Sequence, residues 1–113
     1  MLIRSIAAVI TAATGERVVV GEQELRHALL KHFPWLPRSI FLELLEQVLR
    51  DPSEVYTDNT KAPKEYRVFY RVENRNYIVA IVKITKDGAF FTSMYLTGNN
   101  IRNPHKGLKK VKI

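Results

Sequence analysis

The most regular alternation of hydrophobic and polar positions lies in Glu65–Thr97. In Glu65–Glu73, Tyr66, Val68, Tyr70 and Val72 fall on one face and Arg67, Phe69 and Arg71 on the other. A period of two marks a strand with two unlike faces. Asn74-Arg75-Asn76 then supplies residues that tolerate positive φ. Tyr77–Thr85 is almost wholly β-branched or aromatic, which suits a buried pleated strand. Lys86-Asp87-Gly88 is a hairpin signal, because a type I′ turn favours Asp-Gly at its centre. Ala89–Thr97 completes an antiparallel meander of three strands.

The period changes upstream. Met1–Thr14 is apolar around Arg4, and its longest uncharged run is far short of the roughly 20 residues that cross a bilayer. It reads as a short core element whose state, helix or strand, the pattern leaves open. Arg17–Val20 is a brief strand ending at Gly21. Glu22–Phe33 follows as a helix with acids in its first turn, favourable to the helix dipole. At 100° per residue Leu25, Ala28, Leu29 and His32 share one face, while Arg26, His27 and Lys31 lie opposite. Pro34 ends that helix, and Pro37 and Ser39 open a second, Ile40–Arg50, with a wide apolar stripe. Ser53–Thr57 is a strand candidate, Asp58–Lys64 a polar loop, and Leu108–Ile113 an extended end to the tail. The expected architecture is one α+β domain over residues 1–113. Its N-terminal helices pack on an antiparallel sheet of about four strands, with 1–21 an unassigned N-terminal element and 98–113 a basic tail.

A chain of 113 residues, 46% hydrophobic, can bury a core without staples. It has no cysteine, which excludes disulfides and Cys-based zinc sites. The net charge of +7 is uneven: residues 1–60 carry six Lys/Arg against eight Asp/Glu, and residues 61–113 carry twelve against three. A basic sheet-and-tail half points to a polyanion, with nucleic acid as the expected partner. No phosphate-binding glycine loop, zinc-protease helix, calcium loop or nucleophile elbow is present. His27 and His32 are five apart and make a poor metal pair, so neither metal nor cofactor is expected.

The polar residues set into this frame carry the chemistry. His32 is expected on the sheet-facing side of its helix, above strands that offer Arg67, Arg71, Lys83, Thr92, Ser93 and Tyr95. Cleavage of RNA without metal needs an acid–base group, a cation for the phosphate and a donor for the leaving oxygen. An imidazole near neutrality and the fixed fork of arginine suit two of these tasks. His27 and Lys31, together on the polar face, are candidate substrate contacts, as are Lys83, Tyr95, Lys109 and Lys110. Register leaves alternatives open. An Asp87-Gly88 turn pairs Lys83 with Thr92. A three-residue Asn-rich turn gives a row Arg67–Lys83–Thr92, and a two-residue one aligns Arg67, Val82 and Ser93 with Arg71 on that face.

The run Leu25–Pro34, with His27, Lys31, His32 and Pro34 in a His-x3-basic-His-x-Pro spacing, resembles the start of phage- and toxin-associated ribonuclease domains. Asp51-Pro52-Ser53-Glu54-Val55-Tyr56, an Arg-bearing strand, an apolar strand and Thr92-Ser93-Met94-Tyr95 follow in order. Over about residues 18–97 the chain is similar to the barnase–EndoU–colicin–RelE-like nucleases. That resemblance implies two helices on an antiparallel sheet, metal-independent RNA cleavage, and toxicity checked by a cognate immunity protein. It implies His32 as the helix histidine, Arg67 or Arg71 (with a lean to Arg71) as the strand cation, and Thr92 or Ser93 as the final hydroxyl. Its final strand often reads Val-Thr-Ala-Tyr, whereas here the aromatic stands one place further on. The expected activity is an endoribonuclease toxin domain acting on RNA such as tRNA in the cytoplasm of the producing or target cell, delivered as part of a larger secreted or phage protein. The alternatives are a non-catalytic RNA- or DNA-binding module using Tyr66, Tyr70 and Tyr95 as stacking platforms, and a pure interaction domain.

Overall fold

The computed structural model describes residues 5–98 and 107–113. Seven strands and two helices follow in the order β1 (Ile6–Thr11), β2 (Arg17–Gly21), α1 (Glu22–His32), α2 (Arg38–Arg50), β3 (Glu54–Asp58), β4 (Glu65–Glu73), β5 (Asn76–Thr85), β6 (Gly88–Gly98) and β7 (Lys109–Val111). The strands form one sheet, ordered β1-β2-β6-β5-β4-β3-β7. The α+β class and the meander are as expected, but two features differ. The sheet has seven strands rather than about four, because Ile6–Thr11, Arg17–Gly21, Glu54–Asp58 and Lys109–Val111 all join it. It is also mixed: β2 pairs with β6 in parallel, and the helices are preceded by two strands instead of opening the fold. Residues 1–4 of the N-terminal element and 99–106 of the tail lie outside the described residues.

The two faces of the sheet are read directly from alternation. Val18, Val20, Val55, Phe69, Ile78, Ala80, Val82, Phe91 and Met94 pack under the helices with Leu25, Ala28, Phe41, Leu45, Val48 and Leu49. Helix α2 touches β1 at one end of the strand order and β4 and β5 past its middle, so the sheet curves around it. Its C-terminal turn is tied to the turn after β1 by the Ala13 N–H, which donates to the Leu49 carbonyl at 2.8 Å. On the far face Tyr56, Val68, Tyr70 and Val79 form a second, smaller core with Tyr77, Ile81, Tyr95 and Leu108 packed against it.

Both hairpin tips set the register. Asn74 and Arg75 sit at φ +47° and +69°, the left-handed pair of a two-residue type I′ turn. Arg67 therefore lies opposite Val82. The second tip is Lys86-Asp87, one residue earlier than expected: Gly88 lends its freedom at φ +141° to the end of the turn rather than its centre. The Thr85 hydroxyl accepts from the Asp87 N–H at 3.1 Å and donates to the Gly88 carbonyl at 3.2 Å. Lys83 is consequently opposite Phe90, not Thr92.

Phe41 is fully buried and meets Phe33 edge-on at 5.5 Å, the contact that locks α2 against the end of α1. Phe41→Ala should destabilise the fold by about 3–5 kcal/mol in urea titration. A loss below about 1 kcal/mol would place the core elsewhere.

Candidate functional site

Strand β6 needs a neighbour along its whole length, and it has two in succession. Over Ala89 and Phe90 it pairs with Val18 and Val19 of β2. At Gly21 the chain turns from strand into α1, which continues beside β6 where a strand would otherwise lie. At the same level β6 carries a bulge: Val82 faces Phe91 and Ile81 faces Ser93, leaving Thr92 unpaired between them. The Thr92 hydroxyl donates to the Ile81 carbonyl at 3.0 Å and pins the bulge. Gly21 matters as well, because the Glu24 carboxylate folds back over the position that a Cβ at Gly21 would occupy.

Two adjoining clefts open where strand gives way to helix. The smaller, about 340 Å³, is lined by Gln23, Glu24, His27 and Thr92. The larger, about 550 Å³, is lined by Ile6 and Val19 on one flank, Lys83 and Phe90 on its floor, and Thr85 and Asp87 at the hairpin tip. Glu24 and Thr92 belong to both. Lys83 has no carboxylate partner among the described residues, so its ammonium is available to an anion. His32 is half-buried, its ring 5.9 Å from that of Tyr95. Partial burial, with Lys31 and His27 adding like charge, holds its imidazole below the ordinary histidine range. It is therefore neutral at pH 7, the state of a base. Burial raises the Tyr95 hydroxyl, which stays protonated.

The arginines are elsewhere. Arg71 lies on the helix face of β4, donating to the Asp51 carbonyl at 2.6 Å and meeting the Asp51 and Glu73 carboxylates at 3.2 Å each. These bonds tie the C-terminus of α2 to the sheet. Arg67 is on the same face, held by Glu65 at 2.5 Å and by the Thr57 hydroxyl at 3.0 Å. The expected grouping of Arg71 with His32 and Thr92 is thus not the one that the fold makes, since β5 separates the strands and the faces differ.

Ser93 and Tyr95 lie on the far face, opposite Ile81 and Val79. Lys110 is opposite Tyr56 in β7 and Lys109 opposite Thr57, both across the sheet from the clefts. Lys31 is exposed on α1. His27 is also exposed, as the helical wheel has it, yet it borders a cleft because α1 lies beside β6 rather than over the sheet. Of the tyrosines, Tyr56 and Tyr70 are core, with the Tyr70 hydroxyl pushed up to about 12 by burial. Tyr66 keeps a Lys61 ammonium 5.8 Å above its ring. Glu24, Phe90 and Asp87 escaped sequence reasoning. The Glu24–His27 spacing of i, i+3 was a usable signal for the first.

Among the described residues no three of His, Cys, Asp or Glu converge in a manner that could hold a metal ion. None of the described helices is long and apolar enough to cross a membrane. A family model for the phage-Barnase-EndoU-ColicinE5/D-RelE like nuclease2 matches residues 3–110, nearly the whole chain. The chain belongs to this nuclease family. None of the curated proteins and none of the solved structures matches it. As a member of this family it has nucleic acid as its substrate class, and the clefts beside α1 are the candidate place for the reaction.

The His32 environment has a consequence for stability in this nuclease domain. A histidine whose folded pKa is lowered binds its proton more readily in the unfolded chain. Stability is unaffected well above about pH 6.5 and falls as pH drops through that value toward the lower folded pKa. Urea midpoints measured between pH 8 and pH 5 should show this fall, and His32→Gln should flatten it. An unchanged slope in the variant would assign the acid sensitivity to another group.

Proposed function

We propose that this nuclease cleaves RNA, without a metal ion, by attack of a ribose 2′-hydroxyl on the adjacent phosphate. The observation that carries this reading is the convergence of Glu24, His27 and Thr92 on one cleft, with Lys83 on the floor of the next. In the step, the 2′-oxygen forms a bond to phosphorus, the bond to the 5′-oxygen breaks, and a 2′,3′-cyclic phosphate and a 5′-hydroxyl result. One proton leaves the 2′-hydroxyl and one reaches the 5′-oxygen, so a base and an acid are needed. His27 at the cleft is the acid–base group in contact with the reacting atoms, with Glu24 beside it. His32, on the other side of α1 next to Tyr95, is the second histidine of the same helix. Lys83 supplies the cation for the developing phosphate charge, the role that the family resemblance had implied for Arg67 or Arg71. Thr92 positions the phosphate by turning its hydroxyl from the Ile81 carbonyl to a phosphate oxygen.

The same reading makes the chain a toxin domain of the cytoplasm, held in check by a cognate immunity protein, with a structured RNA such as tRNA as its target. A net charge of +9 over residues 61–113 suits both an RNA and an acidic inhibitor.

The test is incubation of the purified chain with total RNA in excess EDTA, followed by single-substrate rates for variants. Cleavage should persist in EDTA, and His27→Ala should lose about 10²–10⁴-fold in rate while keeping its fold. Arg71→Ala should instead lower the thermal midpoint, since it frees Asp51 and Glu73, and keep the rate per folded molecule. Cleavage that requires added Mg²⁺ would sink the metal-free mechanism. An Arg71→Ala enzyme that is folded but inactive would return the phosphate role to that arginine.

A further inference from the structure

We infer that the corner between α1 and α2 docks the chain on an anionic lipid surface, with Trp35 and Leu30 entering the interface and Arg26 and Lys31 meeting the headgroup phosphates. Neither cleft is lined by any of these four residues, so docking here is independent of the proposed reaction.

Trp35 and Leu30 are each 64% exposed, the most open of the large hydrophobic side chains among the described residues. Their meeting follows from how the chain leaves α1. Pro34 cannot continue the helix, and Trp35 stays against its end, with its ring 5.8 Å from that of Phe33. The loop then returns along α1, because Arg38 at the start of α2 pairs with Glu22 in the first turn of α1. Arg26 and Leu30 follow Glu22 at steps of four, so they border the returning loop. A tryptophan and a leucine thus stand at one corner with an arginine behind them.

The charge around this corner has one sign. Residues 25–42 hold Arg26, Lys31 and Arg38 and no Asp or Glu. Glu22 occupies Arg38, while Arg26 and Lys31 have no carboxylate partner among the described residues. Long cationic side chains beside exposed apolar ones, with a tryptophan among them, suit the boundary between headgroups and acyl chains. The loop offers little hydrogen bonding to a base or a phosphate. Pro34 and Pro37 have no N–H, and that of Leu36 is taken by the Phe33 carbonyl at 3.0 Å. Leucine has no flat face on which a base can stack. A specific protein interface takes about 20–30 residues a side, far more than this corner supplies. A bilayer accepts a small apolar tip flanked by cations.

The test reads Trp35, the one tryptophan of the chain. The full chain is titrated at low salt with vesicles of phosphatidylglycerol and phosphatidylcholine in equal parts. Its emission should move to shorter wavelength and be quenched by lipids brominated along their acyl chains. Vesicles of phosphatidylcholine alone should bind more weakly by about tenfold or more. Arg26→Gln should weaken the affinity for the mixed vesicles about fivefold and Leu30→Ser about tenfold. Both should keep the wild-type thermal midpoint, since both side chains are exposed. A chain that floats with the vesicles while Trp35 still emits as a tryptophan in water is attached through its basic half, which overturns the docking corner. Equal binding to neutral vesicles, or variants that bind like the wild type, overturn it too. Emission that shifts with a non-cleavable oligodeoxynucleotide but with neither vesicle gives the corner to nucleic acid and contradicts the lipid contact.

Discussion

Everything at the candidate site depends on how the edge of β6 is covered. Two residues of parallel pairing with β2 satisfy its first backbone groups, and then a helix replaces the strand. A helix beside a strand cannot continue the ladder, and at this same level β6 carries the Thr92 bulge. The same switch sets the direction of α1. With Leu25 and Ala28 buried against the sheet, its Glu24–His27 edge has nowhere to point but along β6. One event in the backbone thereby puts a carboxylate, an imidazole and a hydroxyl around one cleft.

The distribution of cations follows from the same geometry. Helix-face positions of β4 are too enclosed for an unpaired guanidinium, and Arg67 and Arg71 are there only because carboxylates and a carbonyl meet them. Their charge is neutralised locally and serves the joint between α2 and the sheet. Lys83, one position along β5 from the core residue Val82, emerges on the opposite face beside Phe90 with its charge unopposed. The arginines of β4 are held by carboxylates in this fold, and a lysine in the most apolar strand takes the position at the cleft.

Much of this was legible in the chain before its fold was known. The period-two alternation of Glu65–Glu73 gave the right faces for Arg67 and Tyr70, and the apolar stripe of Ile40–Arg50 gave α2 within two residues. Strands β1 and β7 were harder: a short apolar run around two alanines favours no period, and a three-residue strand has too few positions to show one. The parallel β2–β6 pair was not legible, because it is a long-range contact between segments some 70 residues apart with no local signal. The bulge did leave a trace. Apolar residues facing the helices fall at Ala89 and Phe91, then at Met94, a step of three where an unbroken strand takes two. The hairpin tip at Lys86-Asp87 was misread by one residue because Asp-Gly is favoured at more than one turn position.

The central claim is that nucleic acid meets the protein at the α1–β6 edge and not at the arginines of β4. It is tested most directly by mapping the amide shifts of the labelled chain as a non-cleavable 2′-deoxy oligonucleotide is titrated in. The largest changes should fall on Glu24, His27, Lys83 and the Thr92–Ser93 bulge, with Arg67 and Arg71 nearly still. Changes centred on Arg67, Arg71 and Asp51, with the α1 edge unmoved, would contradict it.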